Sequence, residues 1–123
     1  MTKEYVSFPV PIIVISEANI KEHWSKGHKR HKDQKFLVTN ALSHNKVSKK
    51  LPVTITLTRL SPRKLDSDNL QTAFKYVRDA ISEYFIPGKG PGRADDDPRL
   101  LWIYDQIKSE DKGIQLSFAW AVE

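Results

Sequence analysis

Between Leu51 and Leu60 the side chains alternate without a break, with Val53, Ile55 and Leu57 on one face and Thr54, Thr56 and Thr58 on the other. A strand of that pattern is half-buried, so a second layer must cover its apolar side. The next regular segment supplies the cover. From Ser67 or Asp68 to about Phe85, the positions Leu70, Ala73, Phe74, Val77, Ala80, Ile81, Tyr84 and Phe85 recur at helical spacing and form one apolar stripe. A one-sided strand followed by a one-sided helix confines the chain to layered packing of helix on sheet.

The remaining segments fit that plan. Residues 4–15 are β-branched and aromatic but carry Pro9 and Pro11, which predicts an edge strand or an interrupted one. Residues 19–43 read as a polar helix, opened by Asn19 and open to a break at Gly27. Pro87-Gly88-Lys89-Gly90-Pro91-Gly92 is a loop, and it lacks the order of a phosphate-binding P-loop. Leu100 to Lys108 and Gly113 to Val122 read as two strands joined by a polar turn through Glu110-Asp111-Lys112. The order strand, helix, strand, helix, strand, strand predicts an α+β fold, a small mixed β-sheet with two helices packed on one face. With 123 residues and no linker, the expectation is one domain over residues 1–123.

Several classes fall away. No stretch approaches the roughly 18 apolar residues of a membrane span, so no membrane partner is expected. The start Met1-Thr2-Lys3-Glu4 lacks the order of a secretory signal, and there is no cysteine for disulfides, thiolate zinc or a cysteine nucleophile. A cytoplasmic location is the simplest expectation. No nucleophile elbow is present to support serine catalysis.

Charge is distributed unevenly. Residues 21–50 hold nine lysines and arginines against Glu22 and Asp33, together with all four histidines. Residues 66–97 hold seven aspartates and glutamates against four bases. The first segment suits phosphate attraction. Within it, Trp24, Lys26, His28, Lys29, Arg30, Lys32 and Lys35 are the candidate nucleic-acid contacts. A transition-metal site at His28 and His31 is disfavoured, since Asp33 is the sole acid close by in sequence. Trp24, Trp102 and Trp120 read as packing or dimer residues before base-stacking ones.

The acids form two clusters. Leu65-Asp66-Ser67-Asp68-Asn69-Leu70 sits where a strand exit meets a helix N-terminus. Helix capping accounts for one aspartate there, not comfortably for both. Asp95-Asp96-Asp97-Pro98-Arg99 lies just before a strand, where a solvated loop competes with a functional reading. Together the clusters offer the oxygen ligands that Mg²⁺ takes alongside water and phosphate, in a site that could polarise a phosphodiester and activate water. On a continuous helix Asp68, Thr72, Lys75 and Asp79 fall within a sector of about 60° opposite the core stripe. Lys75 is then either a phosphate-facing cation or half of a surface pair with Asp79.

These residues resemble the RusA family of Holliday-junction resolvases. Leu65-Asp66-Ser67-Asp68-Asn69-Leu70-Gln71 resembles the family's D-x-D-N-L-Q helix opening, and Asp96-Asp97-Pro98-Arg99-Leu100 its second acidic motif. The Asn19 to Gln34 segment and the closing hairpin also follow the family order. The resemblance implies a RusA-like homodimer that uses Mg²⁺, with Mn²⁺ as a possible substitute, to nick opposed strands of four-way DNA junctions in recombination and repair. It assigns Asp66, Asp68 and Asp97 as metal-binding catalytic carboxylates. The run of three leaves Asp95 and Asp96 competing for the third place, and Asp96 is kept in the metal set. The family's lysine position is occupied by Thr72. Lys75 lies about one turn further on and resembles the lysine of a phage-type branch, D-N-x₅-K-x₂-R-D, met by Asp68, Asn69, Lys75, Arg78 and Asp79. The resemblance thus gives Lys75 the catalytic lysine's role. A branched-DNA-binding protein without catalysis, or another metal-dependent DNA nuclease, is the alternative.

Overall fold

The strands Glu4–Val10 (β1), Val53–Ser61 (β2), Leu100–Lys108 (β3) and Gly113–Trp120 (β4) form one sheet in the order β1-β4-β2-β3. The computed structural model describes residues 4–15, 24–88 and 94–121. β2 pairs antiparallel with β4 and parallel with β3, so the sheet is mixed. The parallel pair follows from the helical crossover between its strands, because two parallel strands cannot be joined by a tight turn. β1 pairs with β4 alone, and Pro9 therefore sits on an edge strand, where a missing N–H costs least.

Helices cover one face. Trp24–His44 forms α1, Ser67–Ala73 forms α2 and Lys75–Phe85 forms α3. Phe74, Val77 and Ile81 are wholly buried together with Ile55, Leu57, Leu116 and Phe118 from the sheet, and Val38 and Leu42 bring α1 into the same core. The opposite sheet face is open, and Leu101, Ile103 and Ile107 on the edge strand β3 are each about half exposed.

The C-terminal end of α1 is closed by backbone bonds from Lys46 N to Ser43 O and from Val47 N to Leu42 O. This is the Schellman pattern, and its left-handed position is filled by Lys46 at φ 51° rather than by glycine. Buried Val47 supplies the apolar contact that accompanies it.

Four expectations are corrected. α1 runs through Gly27, which is buried inside the helix, while Asn19 lies outside the described residues. The helix expected over 67–85 is divided at Phe74, whose backbone (φ −92°, ψ 4°) leaves helical geometry. The wholly buried Phe74 ring stands 6.2 Å from Tyr104, and its amide bonds back three residues to Gln71 O, tightening the turn. Thr58 is buried on the face expected to be polar, and β4 ends at Trp120.

Candidate functional site

The segment from Arg59 to Asp68 leaves the C-terminal end of β2 and is pinned from both sides. Arg59 Nη1 donates to Arg63 O (2.6 Å). Gln106 on β3 holds Leu65 by both backbone groups, accepting from its N–H and donating to its carbonyl, each at 2.8 Å. Asp66 then caps α2, its carboxylate accepting from Asn69 N (2.9 Å) and Asn69 Nδ2 (3.0 Å). The capping role belongs to Asp66, and Asp68 is left over: it is exposed in the first turn, where its carbonyl accepts from the Thr72 hydroxyl at 2.9 Å.

The second acidic segment is organised by arginines. Asp95 and Asp96 lie in a short 3₁₀ turn, Ala94–Asp96. Arg78 on α3 reaches this turn and Tyr104 at once. Its Nη1 donates to Tyr104 OH (2.7 Å), its Nη2 to Asp95 O (3.2 Å), and its Nε lies 3.1 Å from Asp95 Oδ2 with the N–H aimed off the line. The guanidinium stands 4.7 Å from the centre of the Trp102 ring, whose Nε1 also donates to Asp95 O. Asp97 is buried and clasped by Arg99, whose Nε, Nη2 and backbone N all donate to the carboxylate at 2.9 to 3.0 Å. Asp96 is exposed.

Asp79 is buried on the side expected to face solvent, because α1 and the 3₁₀ turn both pack against α3. Burial holds its carboxyl above the usual range and the Asp95 carboxylate adds to this, against the opposing pull of Lys35 and Lys75. A solvated Lys75–Asp79 surface pair is therefore not what forms. Lys75 is exposed, with its Nζ 5.4 Å from the Tyr76 ring centre.

A cleft of about 300 Å³ joins the two segments, lined by Gln71, Thr72, Lys75, Arg78, Asp95 and Tyr104. Both candidate lysine positions, 72 and 75, open onto it, and of the three successive aspartates Asp95 is the one that lines it. Asp66, Asp68, Asp96 and Asp97 do not. Among the described residues no three His, Asp or Glu side chains meet in a group that could hold a metal ion. The oxygen donors suit Mg²⁺ in kind. Of the carboxylates that the resemblance names or leaves competing, Asp97 is paired with Arg99 and Asp95 with Arg78, while Asp68 and Asp96 are exposed.

On α1 the basic residues divide between two sides. Lys26, Lys29 and Arg30 line a groove of about 360 Å³ with Pro11, Ile12, Ile13, Asp33, Gln34 and Leu37. The amide of Gln34 is buried there without a hydrogen-bond partner among the described residues. Lys35 faces α3 and pairs with Glu83 at 3.5 Å, so it belongs to helix packing as much as to any ligand. His28 and Lys32 are exposed. His31 stacks on Tyr76, ring centres 3.5 Å apart, which removes it from any shared metal site with His28. The Trp24 side chain lies outside the described residues. Trp120 is buried with its Nε1 donating to Lys50 O, a packing role as expected.

No family model matches the chain, and no curated protein matches it in sequence. Among the described residues no helix is long and apolar enough to cross a membrane. Sequence reading passed over Tyr104, which lines the cleft beside Arg78, and gave Trp102 a packing role without its bond to the Asp95 carbonyl. It also passed over Arg63, Lys64 and Lys108, which lie between or beyond the two charge-rich segments and vanish when charge is counted by segment.

Proposed function

We propose that the chain is a structure-specific endonuclease acting on branched DNA, a RusA-like enzyme that nicks four-way junctions as a homodimer. The observation that carries this reading is the cleft. It gathers Thr72 and Lys75, about one and two turns beyond the D-x-D-N opening, together with Asp95 from a segment 20 residues further along the chain. In this reading Lys75 meets developing charge on a backbone phosphate, and Asp68, outside the cleft at the opening of α2, offers an exposed carboxylate. The basic side of α1 adds attraction for the duplex arms. A two-fold assembly is supported by the half-exposed Leu101, Ile103 and Ile107 on an edge strand, a row that a second copy could cover. Phosphodiester hydrolysis in the cytoplasm, with Mg²⁺ or Mn²⁺, completes the reading.

A second reading has its own observation. Asp95 and Asp97 are both engaged by arginine, which favours a branched-DNA-binding protein that keeps the fold and does not cut.

One experiment separates the two. A labelled four-way junction and a matched linear duplex are incubated with the protein, each with Mg²⁺ and with chelator. Paired nicks in the junction alone, only with metal, and their loss in Asp68→Asn with binding retained, are expected. Binding without nicks selects the second reading, and no binding to either DNA overturns both.

A further inference from the structure

At the C-terminal ends of β2 and β3, cations collect around a hollow. Pro62, Arg63, Lys64 and Lys108 line a hollow of about 470 Å³, and a smaller one beside it is lined by Pro62, Lys108, Ser109 and Glu110. The register places Lys108 opposite Ser61, and Ser109 N donates to Ser61 O, so the two chain segments are held side by side. Arg59 is bonded to Arg63 O in the same loop, with its Nε enclosed and unbonded among the described residues. Burial pulls that guanidinium below its ordinary range, its one bond among the described residues being to the neutral Arg63 carbonyl. Among the described residues none of Arg59, Arg63, Lys64 and Lys108 has a carboxylate within ion-pair distance, Glu110 included.

We infer that this patch is a second phosphate-binding site, in which Arg63, Lys64 and Lys108 hold the nucleic-acid backbone beside the α2 N-terminus. The inference rests on the DNA reading above. It adds a contact surface separate from α1 and places it two residues from Asp66. Three flexible cations around a hollow suit point-charge attraction to phosphate oxygens. An acidic polypeptide fits less well, since protein partners seat through aromatic or aliphatic anchors and the lining offers only Pro62.

The test is the salt dependence of binding to a labelled four-way junction, read by fluorescence anisotropy with the full chain. Lys108→Gln and the double variant Arg63→Gln/Lys64→Gln are compared with wild type, with Lys29→Gln on α1 and with the charge-keeping Lys108→Arg. For every phosphate no longer neutralised, the slope of log K against log salt should flatten by about 0.9 and binding should weaken about eight-fold at 0.1 M salt. Lys108→Arg should keep the wild-type slope. Unchanged slope and affinity in the patch variants, with Lys29→Gln weakened, would overturn this inference and leave the DNA reading standing. Wild type that binds no DNA would overturn both. Displacement of the junction by polyglutamate more readily than by polyphosphate would reassign the patch to an acidic protein and likewise overturn it.

Discussion

The two acidic segments use one residue type and are held in opposite ways. Asp95 and Asp97 are met by guanidinium groups, one from α3 and one from two residues along the chain. Asp66 is met by neutral amide donors, and Asp68 stays exposed. An arginine cancels a carboxylate's charge and fixes its place, whereas an amide fixes its place and leaves the charge. Asp95 and Asp97 are therefore built into their turn as structure, whereas Asp68 at the opening of α2, like Asp96, keeps an exposed carboxylate. The same contrast explains why three consecutive aspartates do not count as three candidate ligands.

Removing each anchor in turn should separate the two segments. The largest effect is expected from Arg78→Ala, which strips the Asp95 pair, the Tyr104 bond and the Trp102 contact together; urea unfolding should show a loss of about 3 kcal/mol. Asp97→Ala should cost about 1.5 kcal/mol by the same measurement. That loss comes from the buried carboxylate and its bond to the Arg99 amide, because the exposed guanidinium adds little. Asp66→Ala loses a helix cap and should cost about 1 kcal/mol, with Asp66→Asn restoring most of it. If Asp66→Ala proved costlier than Arg78→Ala, the division between a structural and an available carboxylate segment would fail.

The smallest effect is one of direction. Asp79 titrates above its unfolded value, so the folded chain holds that proton more tightly. Its contribution is fully present below about pH 4 and is lost as pH rises through the elevated folded value. Asp79→Asn should therefore raise Tm at neutral pH, and the difference from wild type should shrink toward pH 4. A difference that grew on acidification would reverse the sign assigned to this buried carboxyl.

Much of the fold was legible because local pattern and tertiary role agree. The alternation of β2, the bounds of β3 and the edge position required by Pro9 all follow from period and backbone chemistry. The division at Phe74 was not legible, since Phe74 fits the helical stripe well and leaves helical geometry only in the company of Tyr104 and the sheet. Asp79 misled for a related reason: a helical wheel sees one solvent side, whereas α3 is flanked on two. The Arg99 clasp on Asp97 lies two residues away and could have been read; Arg78 reaches Asp95 across 17 residues and could not. The cations at the end of β2 are brought to Lys108 by the parallel register alone.

The division at Phe74 has a dynamic consequence. α2 spans seven residues and is fastened to the core by Leu70 and Ala73, while α3 buries Val77, Ala80, Ile81 and Phe85. A helix that short has no stability of its own. Opening of α2 need not disturb the hydrogen bonds of α3, so the two halves can exchange their amide protons at separate rates. The exposed aspartates thus ride on the least protected turn of the crossover, and a ligand that bridged Asp68 and the cleft would be felt first as slowed exchange in α2.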